Sequence, residues 1–370
     1  MEKFSAGVDV GYGQVKAIVG DSLNSRHKIL FPSAIERRDM GEVVLEELAN
    51  EKRKEENLTS RYWIRIDNED VRIGENATGY EAGMDRSLLN RDPENYRILA
   101  LGPVAMYLAD NDISEAVLSL GVGVPQKTPE DLIDRLVKRL IDVHDLAVGN
   151  YEKGKKVYRN VKLVVSKTIV REQGLGAFIS LALQYDDDGN ILTVDNSVFD
   201  GYAMVVDFGT FTTNVVLFEN GKFDRTRSDG KVEYGTIDMI NELETILKTK
   251  YGIMFSPHAI NRELIIKGIN VVDKMDGTSI DISEIKREAM EKLWNKIARY
   301  IDDSIGSAFM LASQSGKPLK VFFTGGGAKL FADKLREKYS NSKYVVFSRD
   351  PIFDNALGFY VKAYFESKKL

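Results

Sequence analysis

The same short pattern occurs twice in this chain, far apart: Val8-Asp9-Val10-Gly11 and Val206-Asp207-Phe208-Gly209. Each sets an aspartate near the end of an apolar, strand-like run and follows it with glycine. Each leads into a second strand-like run, Val15 to Val19 in one case and Asn214 to Phe218 in the other. At 370 residues the chain exceeds what one hydrophobic core usually supports. The repeat therefore predicts two related lobes, each opening on a strand, a glycine turn and a second strand. Glycines in such a turn let backbone N–H groups come close to an anion. The aspartate at the strand end can hold Mg2+, directly or through water. A single turn of this kind is as readily an ordinary hairpin with a solvated carboxylate. Two at equivalent places ask for a common cause, and two facing phosphate loops that share a magnesium supply one.

The two loops differ in their side chains. In the first, Gly11-Tyr12-Gly13 is followed by Lys16, whose ammonium can return to the same turn. In the second, Thr210, Thr212 and Thr213 add hydroxyls. A third element, Phe323-Thr324-Gly325-Gly326-Gly327-Ala328-Lys329, places three glycines between an apolar strand and a helix. Exposed N–H groups at a helix start suit a nucleotide, and the missing side chains leave room against a purine or sugar.

The rest of the chain alternates strand and helix signals within both halves, which indicates an α/β class. Trp63 to Ile66 and Val71 to Ile73 flank a polar turn and read as a hairpin. Val117 to Val124, Val161 to Val165 and Lys320 to Phe323 read as further strands, and Asn220-Gly221 as a hairpin turn. Thr128-Pro129-Glu130-Asp131 predicts a helix start with a capping hydroxyl, and Leu132, Ile133, Leu136, Val137 and Leu140 give that helix its apolar face. Ser256-Pro257 opens another helix. From Glu284 to Ala312 runs the longest helical signal, with Leu293, Ile297, Ile301, Ile305 and Phe309 as one expected buried stripe. Ala328 to Tyr339 and Asn355 to Phe365 are also helical, and the charge-rich run from Glu36 to Glu56 reads as a solvated helix or insertion.

Composition removes several chemistries. The absence of cysteine excludes disulfides, thiol nucleophiles and cysteine metal sites, and fits a reducing cytoplasm. His27, His144 and His258 lack ligand-spaced partners, which argues against a histidine metal site or a Ser-His-Asp triad. A net charge of −5 argues against direct nucleic-acid binding. Met1 to Ser5 runs straight into a strand-like segment, so neither a signal peptide nor a membrane span is expected, and the chain is expected to be cytoplasmic.

With its paired Asp-x-Gly loops and late triple glycine, the sequence resembles the superfamily of actin, sugar kinases and heat-shock chaperone ATPases. Within it the chain most resembles the bacterial and archaeal actin-like proteins of the plasmid-segregation, ParM type. Further marks are Phe31-Pro32-Ser33, Gly74-Glu75-Asn76-Ala77, Gln173-Gly174-Leu175-Gly176-Ala177-Phe178 and Asn355-Ala356-Leu357-Gly358-Phe359-Tyr360. The resemblance implies an actin-like bilobal α/β fold with a nucleotide cleft between two related lobes. Lobe I would take residues 1–185 and 348–370, with a small subdomain at about 31–95. Lobe II would take 186–347, with a small subdomain at about 231–300.

It further implies that Gly11, Tyr12, Gly13 and Lys16 hold phosphates, that Asp9 and Asp207 serve Mg2+, and that Gly209 and Thr210 grip the β- and γ-phosphates of ATP or ADP. Gly325, Gly326 and Gly327 would lie against the nucleoside. Gln173 falls where such proteins keep the residue that orients the attacking water, with Glu172 as the alternative one position earlier. Many relatives have Ser or Thr where this chain has Tyr12, so its backbone would supply more of the grip. The implied activity is a Mg-dependent ATPase that polymerises with ATP and disassembles after hydrolysis, with DNA segregation or scaffolding as its task. Its partners would be copies of itself and a DNA-binding adaptor, and neither nucleic acid directly nor a membrane. A sugar kinase or a chaperone-type ATPase is the alternative, although the sequence shows no acceptor-site base and no substrate-binding domain after Phe365.

Overall fold

The computed structural model describes residues 1–37, 58–77, 92–126, 128–152, 155–231, 234–274 and 277–369. They form two compact units, Met1–Asp195 with Ile352–Leu370, and Asn196–Pro351.

The first unit is built on a nine-stranded sheet. Its strands are β1 (Glu2–Val10), β2 (Gln14–Gly20), β3 (Arg26–Pro32), β4 (Ile35–Arg37), β5 (Trp63–Ile66), β6 (Glu69–Ile73), β7 (Glu115–Val124), β8 (Val143–Glu152) and β9 (Lys155–Glu172). They lie in the order β3-β2-β1-β7-β9-β8-β5-β6-β4. β1 is buried without a break from Phe4 to Val10, the pattern of a central strand covered on both faces. The Pro93–Asp110 helix packs on one face, with the Glu130–Leu140 helix beside it. The Asp354–Ser367 helix covers the other face of β1 and β7. It lies close because Gly7 and Gly121 have no side chain there: a Cβ on Gly7 would sit 2.1 Å from the Ala356 carbonyl oxygen. Ser119 Oγ on the same face donates to the Ala363 carbonyl at 2.9 Å. A two-stranded ladder, β10 (Leu183–Tyr185) and β11 (Ile191–Val194), closes this unit.

The second unit has a five-stranded sheet of β12 (Tyr202–Phe208), β13 (Thr213–Glu219), β14 (Lys222–Lys231), β17 (Leu319–Thr324) and β18 (Val345–Phe347), in the order β14-β13-β12-β17-β18. A separate hairpin joins β15 (Val271–Asp273) to β16 (Ser279–Asp281). The Ser283–Gln314 helix packs on β12, β13 and β17, and the Thr236–Tyr251 helix packs on that helix.

The sequence echo is an echo of topology. β1 pairs antiparallel with β2, β2 with β3, and β1 runs parallel to β7, which runs parallel to β9. The second unit repeats this: β12 pairs antiparallel with β13, β13 with β14, and β12 runs parallel to β17, which runs parallel to β18.

Several local expectations change. The Thr128 hydroxyl does not cap a helix: it donates to the Pro125 carbonyl at 2.6 Å, and the helix starts at Glu130 with Pro129 as its N-cap. Proline at that position already fixes the backbone for entry. The long helix buries Leu293, Ile297, Ile301 and Ile305, but Phe309 is 51% exposed. Steps of four outrun a period of 3.6 residues, so the stripe rotates off the core face, and Ala308 and Ala312 are buried in its place. Of the charged run Glu36 to Glu56, Glu36 is buried in β4, and Arg37 donates to Asn95 Oδ1 at 2.8 Å. Its remainder from residue 38 lies outside the described residues. The hairpin β5–β6 adds to the main sheet through β8. Among the described residues no helix is long and apolar enough to cross a membrane.

Candidate functional site

Asp9 is the penultimate residue of β1, opposite Lys16 on β2 and Gly123 on β7. Asp9 is 3% exposed, and its carboxylate has two partners. Lys16 Nζ lies 3.2 Å from Oδ2, and the Gln173 side-chain amide donates to Oδ1 at 2.7 Å. A carboxylate taken this far out of water needs such partners, since an unpaired buried charge costs several kcal/mol (roughly). The turn beyond Asp9 is closed by the Gly11 N–H, which donates to the Gln14 carbonyl at 3.1 Å. Ser33 braces it from β3's end: its hydroxyl donates to the Gly11 carbonyl, and its N–H to the Gly13 carbonyl at 3.2 Å. The Tyr12 ring packs against the hydrophobic core. Beneath lies Tyr96, whose hydroxyl burial holds well above its ordinary pKa, with Tyr12 and Asp9 adding to the effect.

The first unit thus brings together Asp9, Gly11, Tyr12, Gly13, Lys16 and Gln173. Glu172 is the last residue of β9, paired with Val124, and Gln173 follows it with its N–H donated to the Val124 carbonyl at 2.7 Å.

Asp207 occupies the corresponding position on β12, opposite Asn214 on β13 and Thr324 on β17. It is 7% exposed. The turn bond repeats as well: the Gly209 N–H donates to the Thr212 carbonyl at 2.8 Å. Where the first loop is braced by Ser33, the second is tied to a helix start. Thr236 and Ile237 donate their N–H groups to the Gly209 and Thr210 carbonyls at 3.3 and 2.7 Å. The Thr213 hydroxyl donates to the Tyr234 carbonyl. Asn214 replaces the lysine of the first loop and donates to Thr212 Oγ1 at 3.2 Å.

The triple glycine abuts this second loop. Gly325 has φ +87°, and a Cβ there would lie 2.4 Å from the Phe208 carbonyl oxygen and 2.6 Å from Asp207 Oδ1. A Cβ on Gly327 would lie 2.5 Å from Phe208 Cβ, whereas one on Gly326 would meet nothing within 4 Å. Two of the three glycines are thus explained by packing within the protein, and Gly326 alone faces open space. Gly326→Ala is accordingly expected to melt at the parent's temperature or up to about 2 °C above it, because no contact is lost and alanine restricts the unfolded chain. If a nucleoside lies there, its affinity for ATP in equilibrium dialysis falls; unchanged affinity would remove Gly326 from the binding surface.

Two residues matter here that sequence reasoning did not assign. Ser33 braces the first turn, and Asn355 accepts from the backbone beside Gln173. Both lie within runs that carried the family resemblance, but their roles depend on which backbone they meet.

A family model described as the N-terminal domain of actin-like proteins matches residues 7–176. A second, described as the C-terminal domain of the MreB-like archaeal actin homologue, matches residues 205–337. With the repeated topology, these matches place the chain among the actin-like proteins. Solved structures of ParM proteins share its fold. A 15-stranded ParM filament from Clostridium botulinum is similar over 100% of both chains, with TM-score 0.66 and 19% identity. Bacillus thuringiensis ParM with AMPPNP is similar over 99% of this chain and 100% of its own, with TM-score 0.70 and 14% identity. The archaeal actin homologue Ta0583 is similar over 97% of this chain and 98% of its own, with TM-score 0.67 and 19% identity. No curated protein sequence matches the chain.

Proposed function

We propose that this protein binds and hydrolyses ATP with Mg2+, and that it assembles with ATP into a filament which loses subunits after hydrolysis. DNA segregation through an adaptor, or scaffolding within the cytoplasm, is the task we assign to that filament. The observation that carries the reading is the duplicated loop: a buried aspartate at the end of a central strand, a glycine two residues on, and the same turn bond, once in each unit. The neighbouring folds with a bound ATP analogue and in a filament support the same reading.

Magnesium suits the donors. Among the described residues no cluster of three or more His, Cys, Asp or Glu side chains could hold a metal unaided. Mg2+ is commonly held by one or two carboxylates together with substrate phosphates and several waters. Asp9 and Asp207 would be those carboxylates. Both Asp9 oxygens already have protein partners, so its contact is better made through water. The ion would neutralise charge on the phosphates.

The chain's own residues do the remaining work. Backbone N–H groups of Gly11 to Gly13 and of Gly209 and Thr210, with Lys16, hold the phosphates. Gln173, fixed on Asp9, orients the attacking water for in-line displacement, a reaction that depends on positioning more than on covalent help. Gln173→Ala is expected to keep ATP affinity and to release phosphate roughly a hundredfold more slowly. Wild-type release by that variant would reassign the water to another group, with Glu172 the first to test.

Light scattering on addition of Mg-ATP tests the filament. A nucleotide-dependent rise that decays as phosphate appears supports assembly. No rise, with ADP release stimulated by a sugar, would favour a kinase.

A further inference from the structure

We infer that Asn355, on the Asp354–Ser367 helix, is a positioning residue for Gln173; this rests on the reading of Gln173 as the group that orients water. Gln173 lies between the end of β9 and the Leu175–Leu181 helix. The residue after it, Gly174, has φ +90° and is that helix's N-cap, with no side chain to satisfy the helix's first N–H groups. Asn355 supplies the missing acceptor from elsewhere in the chain. Its Oδ1 accepts from the Gly174 N–H at 2.8 Å and from the Ala177 N–H at 3.1 Å, all of it buried.

The Gln173 backbone is consequently held on both sides. Its own N–H is fixed to Val124 of β7, and the next N–H is fixed to Asn355. Between those anchors the side chain reaches Asp9 Oδ1. Removing the Asn355 amide would strand two buried N–H groups beside a glycine that can relax in many directions. The Gln173 amide would then no longer be delivered to one place. A misplacement of about 1 Å at a catalytic group can cost a hundredfold in rate.

A nearby bond separates positioning from mere support. Ser180 Oγ donates to Asp354 Oδ1 at 3.0 Å, joining the same two helices at the far end from Gln173. Five variants are compared by phosphate release, by binding of a non-hydrolysable ATP analogue, and by thermal unfolding, Gln173→Ala among them. Asn355→Ala is expected to bind the analogue within about threefold of the parent but to turn over about thirtyfold more slowly. Asn355→Asp, whose carboxylate accepts the same two bonds, restores most of that rate. Ser180→Ala lowers the melting temperature yet stays within about twofold in rate, because Gly174 keeps its acceptor. Asn355→Ala combined with Gln173→Ala is no slower than Gln173→Ala alone, as expected for residues acting as a unit.

Parental turnover in Asn355→Ala while Gln173→Ala is slow overturns the positioning role and leaves the role of Gln173 standing. The same holds for multiplied losses in the double variant, or for Ser180→Ala as slow as Asn355→Ala. Parental turnover in Gln173→Ala overturns the functional reading of Gln173 itself, and the inference with it.

Discussion

Asp207→Ala is expected to abolish ATP turnover, a loss of at least about a thousandfold, while the protein stays folded. The fold tolerates the change because β12 is held by backbone ladders to β13 and β17 on either side of Asp207. Chemistry does not tolerate it, because this carboxylate stands at the loop end that echoes Asp9. Asp9→Ala would strand Lys16, whose side chain is 14% exposed, and release Gln173. Phosphate release measured alongside a melting curve decides the matter. Wild-type turnover by a folded Asp207→Ala protein would take Asp207 out of the active site.

How much of this could be read in the sequence follows from how local each signal is. The strand–Asp–Gly turns are encoded by adjacent residues, so both were legible, and so was the Asn220-Gly221 turn, where φ is positive at both positions. The Pro93–Asp110 helix is different. It is buried almost all round, from Asn95 to Met106 without interruption, so it carries no polar stripe against which a 3.6-residue period could show. Gly102 and Pro103 in its middle look like a break in sequence. Gly102 is there because a strand packs against it: a Cβ on Gly102 would lie 2.8 Å from Ile73 Cδ1. At the candidate site, Asp9 and Lys16 were marked by the local strand–turn pattern and Gln173 by resemblance alone. That Gln173 bonds Asp9, that Ser33 braces Gly11, and that Asn355 holds Gly174 were not legible, because each joins segments brought together only by the sheet order. That Gly325 and Gly327 are glycine on account of Phe208 and Asp207 likewise needed coordinates.

Alanine introduced at two helical glycines is expected to act in opposite directions. Gly358 of the Asp354–Ser367 helix crosses Gly176 backbone to backbone: a Cβ on Gly358 would lie 1.9 Å from the Gly176 carbonyl oxygen and 2.5 Å from its carbonyl carbon. The obstacle is main chain, so no side chain can turn aside, and the two helices must separate. Separation strains the Asn355 bonds to Gly174 and Ala177 and the Ser180 bond to Asp354. Overpacking of about 1–3 kcal/mol, with the weakened cap added, puts the loss near 3 kcal/mol (roughly). For a unit of this size that corresponds to a melting temperature about 6–12 °C lower. Gly306 is the control, exposed in the Ser283–Gln314 helix with nothing within 4 Å of its would-be Cβ. There alanine should stabilise by up to about 1 kcal/mol, through helix propensity alone. Gly358→Ala should also slow phosphate release, since the shift reaches the turn that carries Gln173, and Gly306→Ala should leave the rate alone. Melting of Gly358→Ala within a degree or so of the parent would mean that the two helices slide apart at little cost, and the close crossing would then explain neither the stability of the first unit nor the placement of Gln173.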